Sequence, residues 1–76
     1  MTFGRYLRET RRRQQLPLSA LATQTGISPA GLLDLESNRR GPSYEEVRRL
    51  AVALQRPEAE LLQQAGFISG RDVRSR

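Results

Sequence analysis

Residues 21–36 read Leu21-Ala22-Thr23-Gln24-Thr25-Gly26-Ile27-Ser28-Pro29-Ala30-Gly31-Leu32-Leu33-Asp34-Leu35-Glu36, and the punctuation of this stretch decides the fold. Leu18, Leu21 and Ala22 recur at helical spacing until Gly26, a residue suited to the left-handed position that follows a helix C-terminus. A second start is then written in Ile27-Ser28-Pro29: the Ser28 hydroxyl can cap, and Pro29 can take the first helical position without losing a needed N–H donor. The helix it opens is expected from Pro29 to about Ser37, burying Leu32 and Leu35 and leaving Leu33 to one side. Two short helices, from Leu18 to Thr25 and from Pro29 to Ser37, therefore flank a glycine turn.

Upstream, from Thr2 to Gln15, Phe3, Tyr6, Leu7 and Thr10 share a helical face with Arg5, Arg8, Arg12 and Arg13 around it. Thr2 is the expected N-cap, and Leu16-Pro17 the expected stop, because the residue before proline is pushed out of the α region. Downstream, Asn38-Arg39-Arg40-Gly41-Pro42 has turn composition, and Ser43 with Glu46 has the spacing of a capping box. A helix from Tyr44 to Gln55 follows, with Val47, Leu50, Ala51 and Leu54 as its buried stripe. Pro57 opens a short fifth helix in which Leu61 and Leu62 close the core. The expected organisation is one domain over residues 1–65 and a frayed tail or linker over 66–76, carrying Arg71, Arg74 and Arg76.

Composition narrows the chemistry. Seventy-six residues leave room for one core, and a domain this small hides only about 60% of the surface its unfolded chain exposes. Histidine and cysteine are absent, which excludes disulfides, thiolate chemistry and metal sites built on sulfur or imidazole. No cofactor is expected, and an enzyme is disfavoured, since base, nucleophile and enclosing mass are all lacking. No stretch has the length of a membrane span or the apolar core of a signal peptide, so a soluble, cytoplasmic protein is expected. All 13 basic residues are arginine, against 8 acids, for a net charge of +5. That excess suits an anionic partner. Arginine without lysine fits a GC-rich genome as well as selection for planar, bidentate phosphate contacts.

A glycine-turned helix pair sets its second helix steeply to the first, so that the second can lie in a DNA major groove while the first braces on the backbone. The same residues carry a family likeness. The chain resembles the Cro/C1-type (XRE-family) helix-turn-helix domains of phage and bacterial repressors over roughly positions 3 to 62. The likeness rests on Phe3-Gly4, Leu7 through Arg11, Leu21-Ala22, Gly26-Ile27-Ser28, Leu32, Leu35-Glu36, Arg39 through Ser43, Leu50-Ala51, Leu54 and Leu61-Leu62. It implies an all-α, compact five-helix bundle of the lambda-repressor type. It further implies sequence-specific binding of double-stranded DNA, repression of transcription as a homodimer on a palindromic operator, and a cytoplasmic, nucleoid-associated protein of bacterial or phage origin.

Carried over by position, the resemblance assigns base reading to Pro29, Ala30, Gly31, Leu33 and Asp34, and phosphate binding to Ser28, Ser37, Asn38, Arg39 and Arg40. Arg11 and Glu36 stand where the family places an ion pair between the first helix and the end of the third; the other reading takes Arg11 to phosphate. The reading set is poor in donors. Asp34 could accept from a cytosine amino group and Ala30 or Leu33 could touch a thymine methyl, but the usual Gln, Asn or Arg is missing. Specificity would then rest on DNA shape and phosphate contacts. The alternative function is a protein-interaction module on the same fold, an antitoxin, antirepressor or partner-binding subunit that uses the exposed Leu33 and Pro29 surface. Dimerisation in the family would fall on about Pro57 to Phe67, where Leu62, Ala65, Phe67 and Ile68 offer apolar surface.

Overall fold

The Thr2 hydroxyl starts the first helix by accepting from the Arg5 N–H at 3.2 Å, filling one of the orphan donors every helix N-terminus leaves. In the computed structural model, which describes residues 2–68, helix α1 spans Phe3–Arg13, α2 Leu18–Thr25, α3 Pro29–Glu36, α4 Tyr44–Leu54 and α5 Glu58–Gln64. The described residues are an all-α bundle without a strand.

Each boundary has a local cause. Helix α1 ends before Leu16-Pro17: Gln14 caps it and Gln15 turns left-handed at φ 55°. Gly26 ends α2 at φ 75°, with its N–H on the Ala22 carbonyl at 2.8 Å. Ser37 caps α3, and Asn38 turns left-handed at φ 62°, so that helix stops one residue short of the expected end. At α4 the capping box is complete, Ser43 Oγ accepting from Glu46 N at 3.1 Å and Glu46 Oε1 from Ser43 N at 3.0 Å. Gln55 then reverses the chain at φ 55°.

Helix α3 packs on α1 and α2, while α4 bridges α2 and α5, and α5 returns to α1. Their shared core is leucine-rich: Leu7, Leu21, Leu32, Leu35, Leu50, Leu54 and Leu61 are sealed from solvent with Val47. Each such side chain contributes roughly 2 kcal/mol relative to exposure, set against the conformational entropy lost on ordering the chain. Thr10, Thr25 and Glu36 are the polar residues in this interior, and no buried side-chain polar atom among the described residues is left without a partner.

Leu62 belongs to the core, with Ala65 and Ile68 packed against it. The packed unit thus extends through Ile68, and the apolar surface near the fifth helix narrows to Phe67, whose ring meets Tyr44 edge-on at 5.9 Å. Arg71, Arg74 and Arg76 lie outside the described residues.

Candidate nucleic-acid interface

Thr25 ties the turn between α2 and α3. Its hydroxyl donates to the Leu21 carbonyl at 2.8 Å and accepts from the Ile27 N–H at 3.2 Å, so a buried oxygen satisfies the backbone on both sides of Gly26. Ile27 is buried beneath the turn. Ser28 Oγ accepts from Gly31 N at 3.0 Å, Pro29 sits at the helix start, and Leu32 and Leu35 point inward. What α3 then presents outward is Ala30, Leu33, Asp34 and, past its end, Ser37.

The far end of α3 is fixed on α1. Arg11 grips Glu36 with two bonds, Nε to Oε2 at 2.7 Å and Nη2 to Oε1 at 3.1 Å, and donates a third from Nη1 to the Leu16 carbonyl at 3.1 Å. The bond to Glu36 holds the Arg11 guanidinium even more firmly protonated than usual, against some opposition from burial. An enclosed pair of this kind fixes orientation more than it adds stability, since desolvation offsets much of the attraction. Beside it, Asn38 accepts from Gly4 N through Oδ1 at 3.0 Å and donates from Nδ2 to Thr2 Oγ1 at 3.0 Å. Gly4 is required at this crossing: a Cβ there would stand 2.5 Å from the carbonyl oxygens of Leu35 and Glu36.

The residues assigned to base reading separate into three places. Ala30, Leu33 and Asp34 line one open depression of about 440 Å³ together with Ser37 and Arg39. Pro29 and Ser28 line a second groove, shared with Thr23 and Gly26 of the turn. Gly31 faces sideways, where an added Cβ would meet Ser28 Oγ at 3.1 Å, Ile27 at 3.2 Å and Arg40 Nη2 at 3.4 Å.

Those assigned to phosphate differ in how free they are. The Ser37 hydroxyl donates to the Leu33 carbonyl at 2.8 Å, and the Asn38 amide is occupied by Gly4 and Thr2. Arg40 lays its fork on Glu46, at 3.0 and 2.9 Å. That hydrogen bond holds the Glu46 carboxyl below its usual range. Six ion pairs of this sort take up the arginines Arg5, Arg11, Arg40, Arg48, Arg49 and Arg56. Among the described residues this leaves Arg8, Arg12, Arg13 and Arg39 without a carboxylate, and Asp34 as the acid without a cation.

Sequence patterning does not reveal the Thr25 tie, the Asn38 bridge or the Glu46 grip on Arg40. The capping-box spacing identifies Glu46 as a cap but says nothing of an arginine six residues earlier. Tyr44, the first residue of α4, donates through its hydroxyl to Glu58 at 3.4 Å while its ring packs on Phe67. No described helix is long and apolar enough to cross a membrane, and no group of potential metal ligands occurs among the described residues.

Comparison with known proteins agrees with this geometry. The chain is 38% identical over 68 residues to the HTH-type transcriptional repressor RghR of Bacillus subtilis (strain 168), covering 88% of this chain and 50% of that protein. It is 39% identical over 67 residues to the uncharacterized HTH-type transcriptional regulator RghRB of the same organism, covering 87% of this chain and 48% of that one. The chain spans about half the length of the curated relatives it matches. A helix-turn-helix domain model matches residues 2–64, the whole bundle from the Thr2 cap to the end of α5, and the chain belongs to that helix-turn-helix domain family.

Proposed function

We propose that this chain is the DNA-binding unit of a transcriptional repressor, placing residues 29–37 in the major groove of operator DNA as one half of a homodimer on a palindromic site. The observation that carries the reading is the outward face of α3: it is unpacked, held in a fixed attitude by Arg11–Glu36 and Gly4–Asn38, and bordered by the unpaired cation Arg39. Both relatives bear names of transcriptional regulators, one of them a repressor. Ser28, whose oxygen caps α3, and Arg39 would meet phosphate, with Asn38 holding the loop in place and with Ser37 and Arg40 already engaged by the Leu33 carbonyl and by Glu46. The dimer contact would use Phe67 and Tyr44, both about half exposed. Binding in the cytoplasm at the nucleoid, with no catalytic step, completes the reading.

Fluorescence anisotropy with labelled duplexes from a random pool tests it. Affinity should fall linearly on a log–log plot against salt, with a slope of about −0.9 per phosphate neutralised, and sequencing the retained duplexes should yield a palindrome. Failure to retain any duplex at low salt refutes the proposal. A second reading has one observation in its favour: Leu33 is 54% exposed on the face that would read bases, and an apolar contact there suits a protein partner. A stoichiometric, nuclease-insensitive protein partner recovered in place of DNA would establish it.

A further inference from the structure

The depression along α3 contains one carboxylate, Asp34, one guanidinium, Arg39, an apolar floor from Ala30 and Leu33, and the hydroxyl of Ser37. Neither charged side chain is spent inside the molecule, since Asp34 and Arg39 have no ion-pair or side-chain hydrogen-bond partner among the described residues. A carboxylate in this position repels phosphate, so the surface it lines suits the edge of a base pair and not the backbone. Arg39 lines that surface, whereas Arg40 lies beside Gly31 with its fork on Glu46 and does not line it.

The major-groove edge of a cytosine–guanine pair offers an amino donor on cytosine beside the O6 and N7 acceptors of guanine, which matches an acceptor and a planar donor fork in one depression. The apolar group that base edges present in this groove is the C5 methyl of a pyrimidine, and Leu33, at 54% exposure, has nothing else of that edge to bury against. We propose that this depression reads a C5-methylated pyrimidine next to a cytosine–guanine pair: the methyl rests on Leu33 and Ala30, Asp34 accepts from the cytosine amino group, and Arg39 donates to guanine. Arg39 thereby moves from the phosphate set to the base-reading set. The inference rests on the reading of this chain as a binder of duplex DNA.

The test uses the duplex recovered by selection, with single-atom-group changes at each position in turn. Deoxyuridine for thymidine removes the methyl alone, and 7-deazaguanine removes the N7 acceptor alone. With the wild-type chain, deoxyuridine at one position should lower affinity about three- to tenfold, and 7-deazaguanine at a neighbouring position about fivefold or more. Leu33→Ala should bring the thymidine-to-deoxyuridine ratio to about one, and Arg39→Ala should abolish the response to 7-deazaguanine. Both side chains are exposed, and helical circular dichroism verifies that the variants fold. Wild-type binding that ignores both base changes overturns the inference while leaving DNA binding intact. So does an Arg39→Ala variant that weakens every duplex equally and keeps the wild-type preference, the behaviour of a phosphate contact. Absence of all duplex binding at low salt is a separate result, and it removes the DNA reading itself.

Discussion

Replacing Gly4 by alanine reverses the sign that helix propensity would give. Gly4 is the second residue of α1, where alanine ordinarily gains up to about 1 kcal/mol over glycine. Here the new Cβ would stand 2.5 Å from the carbonyl oxygens of Leu35 and Glu36 and 2.7 Å from Asn38 Oδ1. Two of those three atoms are backbone of α3, so relief requires the helices to separate by about 1 Å. Overpacking of this kind destabilises by about 1–3 kcal/mol, and the separation also breaks the 3.0 Å bond from Gly4 N to Asn38, a further loss of about 1 kcal/mol. After the propensity gain, the net loss is about 2 kcal/mol, or a fall in Tm of roughly 10 °C for a domain of this size. Thermal melts of wild type, Gly4→Ala, Asn38→Ala and the double variant measure it. The double variant should lose less than the sum of the singles, because Asn38 Oδ1 is part of the clash. A Gly4→Ala protein as stable as wild type, or more so, refutes the claimed closeness of α1 and α3.

Other perturbations probe other contacts. Arg11→Ala strands the buried Glu36 carboxylate and should destabilise by about 3 kcal/mol in urea unfolding, while Arg11→Met with Glu36→Leu recovers most of the loss. Thr25→Val keeps the shape but removes the oxygen that serves Leu21 and Ile27, at about 1–2 kcal/mol by the same assay. Toward acid, the Arg40 bond on Glu46 and the Arg56 and Tyr6 bonds on Glu60 hold both carboxyls below the usual value near 4.5. Their stabilisation is therefore complete above that value and disappears as pH drops through the lower folded values, with Glu46→Gln showing a shallower acid limb. Toward alkali, burial and then the Glu60 contact push the Tyr6 hydroxyl from 10.0 up to about 12. Its contribution is whole below pH 10 and vanishes as pH climbs toward 12, and Tyr6→Phe should flatten that decline in denaturant titrations across the range.

The architecture was legible because its signals are local. Ser28-Pro29, Ser43 with Glu46, and Gly26 each act within one turn of the helix they start or stop, and the structure ends α2 and starts α3 and α4 where those residues dictate. Helix ends fared less well where the terminator was not glycine or proline. Gln15, Asn38 and Gln55 all take positive φ, and nothing in the identity of a glutamine announces it. Those reversals come from contacts elsewhere: Gln14 donates to the Leu54 carbonyl at 2.7 Å, Arg11 holds the Leu16 carbonyl, and Asn38 reaches back to α1.

The interface was legible as a helix face and illegible as a set of available charges. Counting arginines gives an excess of cation but not its location, because availability depends on which guanidinium a carboxylate has already taken. Arg39 and Arg40 are adjacent and chemically identical in sequence. Yet the Glu46 carboxylate, on a helix that begins beyond the loop, accepts from both Nη1 and Nη2 of Arg40, and it is anchored there by the Ser43 cap. The same carboxylate that starts α4 thus silences one arginine of the pair and leaves the other beside Asp34 and Leu33. A single helix cap therefore determines which cation faces the groove, and Glu46→Gln, by loosening Arg40, should raise non-specific affinity and steepen its salt dependence while leaving the discrimination contributed by Arg39 in place.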